Sequence, residues 1–342
     1  MSAINSILSE LQVGEPASCD NLSFVPLFCD VQEDFTYITL EQGLETSAVE
    51  IEELDGGARV SDILFRNLSD NPVLLFEGEE LLGAMQNRIL NVSVLVSPHT
   101  KQVLPVSCVE AGRWHHEESN PSKQKFSAAN RVHYARGRAL ENRAVSMNLQ
   151  ATREYRSDQS RIWRDIDEKS ARLNVHSESS AANAMYVSKR TKIDEFVKAF
   201  KHTSSQVGSV FLVDGKVSGL DLYSGESIHK QMLPRLIRSY ALDAVDSSTS
   251  RTESESKPKD ANAGQNAERA TEEFIAQLSN SWTKRFKGVC MGESIRFMDD
   301  RLTGSALELD DRVLHLSAFA LPEGEGETPV RNQGRRVRPL TS

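Results

Sequence analysis

No stretch of this 342-residue chain approaches the run of about 18 apolar residues that a membrane-spanning helix needs. The opening residues, MSAINSILSELQVGEP, lack a basic start and a long apolar core. They do not read as a secretory signal, so a cytoplasmic location is expected. Cysteine is scarce: Cys19, Cys29, Cys108 and Cys290 form no CxxC pair and no metal-finger spacing, which leaves reduced thiols as the expectation. Also missing are a Walker A loop, a GxGxxG turn after a strand, HExxH and GxSxG. Those absences remove the common signatures of P-loop, dinucleotide, zincin and serine-hydrolase chemistry.

What is present suits a globular protein, with 39% apolar and 26% charged residues. The formal net charge is −9, but it is unevenly spread. Residues 1–122 hold 20 Asp and Glu against five Lys and Arg, and residues 123–175 hold 12 Lys and Arg against six Asp and Glu. Two readings stand: the acidic and basic parts pack against each other, or the basic part is a surface for an anion. A sequence pI near 5.5 makes nucleic acid an improbable partner.

Patterning predicts an α+β fold with an antiparallel, sandwich- or barrel-like N-terminal half. Ile4, Ile7, Leu8 and Leu11 form one helical stripe at the start. Strands are expected at 22–29, 35–40 and 49–54, with Pro26 marking an edge or a bend. A short helix or turn follows residue 40, and Asp55-Gly56-Gly57 is a turn. Strands 60–67 and 72–76 read as a hairpin around Ser69–Pro72, and 89–96 and 102–109 as a second around Ser97–Thr100. Residues 1–122 thus make a β-rich region carrying the main motifs. Residues 123–245 are expected to be helical to about 201, followed by a hairpin at 207–223 and a helix that Pro234 kinks, packed on the same domain. The range 246–266 reads as a flexible linker. A helix and three strands in 267–321 complete the fold, and 322–342 reads as a disordered basic tail.

The candidate site falls in residues 71–114, where polar clusters interrupt strand-like runs. Glu77, Glu79 and Glu80 surround Gly78, whose turn can re-aim carboxylates towards a cation or towards acid–base work; a solvated acidic turn is the plainer alternative. Glu79, Glu80 and Glu110 are the catalytic candidates. Gln86, Asn87 and Arg88 offer amides and a guanidinium for a phosphate or carboxylate, or an ion pair that holds the sheet together. Cys108 and Glu110 share a strand face, about 7 Å apart, and the plainer reading of Cys108 is a buried, inert thiol. Arg113 and Trp114 suit a stacked base or ribose, or simply core closure. His115 and His116 lack metal-site spacing, and no metal or cofactor is assigned. The second expected hairpin would bring Arg88 and Glu110 together at its open end.

Two motifs here, EGEELLGAMQNRILN at 77–91 and PVSCVEAGRW at 105–114, resemble the ADP-ribosylglycohydrolase- and rhodanese-phosphatase-associated protein domain, a family of bacterial proteins. The segments TLEQGLETSAV, VGSVFLVDGKVSGLDLYS and LIRSYALDAV agree with it, so the resemblance covers roughly residues 20–320. It implies an association with enzymes of ADP-ribose and phosphate chemistry, in prokaryotic conflict or nucleotide signalling. Three functions follow as expectations: a ligand-binding or sensor domain for a nucleotide-like or phosphorylated anion, a carboxylate- or metal-dependent hydrolase or transferase, or an interaction module.

Overall fold

The computed structural model describes residues 3–30, 35–54, 61–83, 86–112, 126–250 and 262–321. In chain order the elements are α1 (Ala3–Glu10), β1 (Gln12–Val13), β2 (Ala17–Cys19), β3 (Leu22–Phe28), β4 (Ile38–Thr39), α2 (Leu40–Glu45), β5 (Val49–Glu52), β6 (Asp62–Asn67), β7 (Val73–Leu75), β8 (Glu79–Gly83), β9 (Arg88–Leu90), β10 (Val94–Val96), β11 (Lys101–Cys108) and β12 (Phe126–Val132). The helices α3 (Ala135–Thr152), α4 (Gln159–Arg172), α5 (Ala182–Ser188) and α6 (Arg190–Ala199) follow. After them come β13 (Gln206–Val213), β14 (Lys216–Tyr223), α7 (Glu226–Thr249), α8 (Ala263–Asn280), β15 (Trp282–Lys287), β16 (Glu293–Met298), β17 (Leu302–Leu309) and β18 (Arg312–Ala320). The fold is α+β, and its sheets are antiparallel except for the short β4–β7 pair.

A nine-stranded sheet runs β1-β3-β13-β14-β18-β17-β16-β15, with β2 also on β3. It joins the start of the chain to its end. Strand alternation gives it two apolar faces. Val25, Leu27, Val210 and Leu222 pack under α1 and α8, while Phe24, Phe211 and Tyr223 pack towards α6 and α7. Burying a Leu or Phe contributes about 1.5–3 kcal/mol, so each face is a substantial core. The β13–β14 hairpin follows the expected pattern, since Asp214 and Gly215 both take positive φ (56° and 77°), as a two-residue type I′ turn demands.

A six-stranded sheet, β12-β8-β9-β11-β6-β5, and a three-stranded one, β10-β7-β4, carry the rest. Several expectations are corrected here. Residues 35–40 are not one strand: Thr39 caps α2 through a capping box with Gln42, so the helix begins at Leu40. Strands β6 and β7 do not form a hairpin. The chain crosses between sheets there, and buried Asn67 holds the corner by donating its amide to Asn71 O (2.8 Å), Ser97 O (3.0 Å) and Val96 O (3.3 Å). The 89–96 run is broken at residues 91–93, because the side chains of Asn91 and Ser93 turn to Ser107, Tyr155 and His315. Only β9 pairs with β11, while β10 leaves for β7.

Further along, β12 lies in the region expected to be helical. Helix α7 runs to Thr249 and α8 starts at Ala263, which shortens the expected linker at both ends. Four strands, not three, follow α8. Pro26 sits where β3 changes partners from β1 to β2, the break a residue without an N–H accommodates. The Asp55–Gly57 turn and the 322–342 tail lie outside the described residues. Among the described residues no helix is long and apolar enough to cross a membrane.

Truncating Asn67 to Ala would leave three backbone carbonyls without their shared donor. Urea unfolding of Asn67→Ala should show a loss of about 1–3 kcal/mol, mainly from the buried Val96 carbonyl, because Asn71 O keeps Ser69 Oγ as a donor; a loss below about half a kilocalorie would show that the corner does not need this side chain.

Candidate functional site

Gly78 turns the chain into β8 with φ +81°, a conformation that favours glycine. A Cβ there would also lie 3.0–3.1 Å from the Arg138 side chain. The glycine thus opens space for a guanidinium. The three carboxylates around it are buried (Glu77 4% exposed, Glu79 1%, Glu80 0%), and they do not face one another's partners. Glu77 accepts from Asn142 Nδ2 (2.8 Å) and Ser305 Oγ (2.5 Å), with Arg296 Nη1 at 3.7 Å. Glu79 accepts from Arg235 Nη1 and the Phe76 amide, both at 2.8 Å. Burial pushes its carboxyl up, against the pull of Arg235. Glu80 accepts from Arg131 Nη2 at 2.8 Å, and the same nitrogen donates to Asn183 Oδ1 at 2.8 Å. Strand alternation explains the division: Glu79 turns to α7, and Glu80 turns to β12 and α5.

The buried arginines of the basic stretch are likewise paired. Arg138 binds Asp221, which also accepts from Tyr240 OH at 2.8 Å. Lys169 binds Asp243 (2.5 Å) and Asp246 (2.8 Å). These pairs tie the basic stretch to residues 221–246, and it is Arg131–Glu80 that gives a direct contact of the packing kind between the acidic and basic parts of the chain.

The remaining candidate residues meet at the end of the β9–β11 ladder, where Cys108 stands opposite Arg88. Arg88 Nη1 donates to Gln86 Oε1 (2.8 Å), and Gln86 Nε2 donates to the Glu110 carbonyl (2.9 Å). Arg88 also lies 3.6 Å from Glu53. The Glu110 carboxylate accepts from the Asn87 amide (3.2 Å) and from Ser179 Oγ (2.8 Å). Cys108 Sγ donates to Glu110 O at 3.0 Å, and Gln159 brackets the Cys108 peptide. Burial pushes the Cys108 thiol up, with Arg88 opposing, which is the environment of an inert thiol. Arg88 and Glu110 are therefore neighbours and Glu80 is one ladder step away, opposite Ile89. Glu79 faces elsewhere. Arg113, Trp114, His115 and His116 lie outside the described residues.

Beyond β11 the chain pairs with the 177–182 loop: Gly112 N donates to Ser179 O (2.9 Å) and Ala182 N to Val109 O (3.0 Å). Between these segments opens a cleft of about 680 Å³, within the range of ligand sites. Asn87, Glu110, His176, Ser177, Ser179 and Asn183 line it. A somewhat larger cavity, about 790 Å³, opens at the start of α7 beside Glu10, Asp30 and Arg312. Its charged residues are all at least partly solvated. The 680 Å³ cleft has a buried carboxylate in its wall and a buried ion pair behind it, and is the better candidate on that ground. Asn183, Ser179 and Arg131 were not singled out from the sequence. The SSAANAMYVS run reads only as a short helix, and nothing local ties Arg131 to Glu80, 51 residues earlier. Among the described residues no group of three or more His, Cys, Asp or Glu is arranged to hold a metal.

A family model described as the ARG and Rhodanese-Phosphatase-superfamily-associated Protein domain matches residues 10–319, most of the chain. Comparison with curated proteins and with solved structures found no match.

Two measurements check this electrostatic picture. Arg131→Met alone should destabilise by about 3–5 kcal/mol by stranding Glu80, whereas Arg131→Met with Glu80→Leu should recover most of that loss; additive effects would mean the pair is not coupled. His133, His229 and His315 are buried, and desolvation lowers each to about 3 from 6.5. The unfolded chain protonates them first, so their stabilising contribution is complete above about pH 6.5 and is lost as pH falls towards 3. Glu79 and Glu141, pushed up by burial, act with the opposite sign. Replacing His315 with Gln should therefore flatten the fall in stability between pH 7.5 and 5.0 by about 2 kcal/mol; an unchanged slope would show that His315 does not stay neutral.

Proposed function

We propose a ligand-binding function for this chain, which belongs to the ARG and Rhodanese-Phosphatase-superfamily-associated Protein domain family: the cleft beside Glu110 takes the hydroxyl-bearing part of a nucleotide-like ligand. The observation that carries this reading is the Asn87–Glu110–Ser179 hydrogen-bonded chain set in the wall of a cleft of about 680 Å³. Carboxylates and side-chain amides are the groups that read sugar hydroxyls, the former by accepting and the latter by doing both. Asn183 has its oxygen turned to Arg131, which leaves its NH₂ as the donor available to a ligand. The rest of the lining is mixed: Asn174, His176 and the serines stand beside Leu82, Val175 and Val187, which suits a ligand with both a polar and an apolar face.

Separate partners for Glu79 and Glu80 speak for binding over acid–base turnover by that pair, since paired carboxylate catalysis needs both groups at one reacting centre. Among the described residues the guanidinium beside Glu80 is not free for the phosphate-bearing half of the ligand. Arg131 already serves Glu80 and Asn183.

A thermal-shift panel of ADP-ribose, NAD, AMP and inorganic phosphate tests the reading. A ligand at one hundred times its Kd stabilises by about 2.7 kcal/mol, so at least one nucleotide should raise Tm by several degrees. Asn183→Leu and Glu110→Gln should weaken that binding about 10- to 100-fold, the worth of one hydrogen bond to a charged or well-placed group. No shift with any of the four at millimolar concentration would sink it.

A further inference from the structure

A second constellation lies away from the cleft, at the junction of β12, α3 and α4. His133 sits between the strand and the helix with its backbone tied at both ends. Its N–H donates to Gly78 O (2.8 Å), and its carbonyl accepts from Ser239 Oγ (2.5 Å). Its side chain is fully buried, and neither ring nitrogen has a hydrogen-bond partner among the described residues. Glu141, two helical turns on, is 7% exposed, and its Oε1 is also without a partner. Nε2 and Oε1 stand 3.7 Å apart, too far for a direct hydrogen bond. Buried donors and acceptors are almost always satisfied, by protein or by ordered water.

The space between them is accounted for. Gly137 lies on the intervening turn, and a Cβ there would meet His133 Cδ2 and Nε2 at 2.6 Å and Tyr134 Cε2 at 2.8 Å. The ring lies against Tyr134 with centroids 4.1 Å apart and the planes tilted by 40°. A cavity of about 10 Å³, lined by His133, Gly137 and Glu141 with Asp158 and Arg161 towards the surface, remains beside the pair. That is about the space one water requires.

We infer that this cavity is a binding site for a single ordered water, which bridges His133 Nε2 and Glu141 Oε1. The water accepts from Nε2–H and donates to Oε1, leaving Nδ1 as the unprotonated nitrogen. This choice of tautomer follows from cost, since an orphaned buried N–H is rarer than an orphaned acceptor. Surrounding charge agrees with a neutral pair. Burial, then Arg131, Arg138 and Lys169, hold the imidazole down, while burial, then Glu77 and Asp165, push the Glu141 carboxyl up. Tyr134 OH, also facing the pocket, is committed to Asp165 at 2.6 Å.

A crystal structure of the full chain at a resolution that shows waters, with ¹⁵N-histidine NMR, tests the site. Expected are one density peak within about 3.2 Å of both Nε2 and Oε1, and a neutral His133 protonated at Nε2 from pH 5 to 8. Glu141→Gln keeps an acceptor and should keep the water; Glu141→Leu should lose it. If Gly137→Ala folds, it should expel the water and turn the ring. A dry cavity, a direct Nε2–Oε1 contact under about 3.2 Å, the Nδ1–H tautomer, or a peak that persists unchanged in Glu141→Leu would each overturn the proposal.

Discussion

Three carboxylates within four residues cannot be buried unless each is given its own cation or donor. That constraint governs the middle of this molecule. Glu77, Glu79 and Glu80 are drawn into the interior around one left-handed glycine, and each is met from a different part of the chain: Asn142 and Ser305 for the first, Arg235 for the second, Arg131 for the third. An isolated charge in a low-dielectric interior costs several kcal/mol, so these meetings are conditions of folding. They bind β8 and the turn before it to α3, β17, α7 and β12 at once. The nine-stranded sheet and the smaller sheets are thereby joined through polar contacts as well as through the apolar core.

The same constraint bears on where the proposed ligand would enter. Charges committed to internal pairs are poor recruits for a ligand, because breaking a pair strands its partner. The polar groups that line the cleft lie one layer outwards, where the chain after β11 runs beside the 177–182 loop. Glu110 and Asn183 stand on this border. Glu110 is positioned by the Asn87 amide and Ser179, and Asn183 is oriented by the guanidinium that neutralises Glu80. The buried network thus sets the direction of the groups that line the cleft.

Local patterns in the sequence foretold local structure well. Asp214-Gly215 fixed a type I′ hairpin by its φ requirements, and the antiparallel relation of β9 and β11 placed Arg88 beside Glu110. The strand β12 was hidden because FSAANRV carries one β-branched residue and only Phe126, Ala128 and Val132 as a broken apolar stripe; its ladder with β8 and Arg131 reaching Glu80 set its place. The start of α2 was legible in the spacing of Thr39 and Gln42, but the β-branched Ile38-Thr39 step argued for a longer strand. The split of the 89–96 run depends on Ser93 meeting His315, 222 residues away, and the corner at Asn67 depends on carbonyls 29 and 30 residues on. Partners at such separations leave no periodic trace. For the same reason the carboxylates of EGEE read as one cluster in sequence and divide among three partners in space.

The proposed recognition of a hydroxyl-bearing nucleotide-like molecule rests on the cleft beside Glu110 and the oriented Asn183 amide. Native mass spectrometry of the chain purified without denaturation, titrated with ADP-ribose, tests that claim most directly. The account predicts a one-to-one adduct whose apparent affinity is retained in Glu79→Gln, whose side chain faces α7, and falls about 10- to 100-fold in Asn183→Leu. An adduct unaffected by Asn183→Leu, or a chain that stays bare at every ADP-ribose concentration, would contradict it.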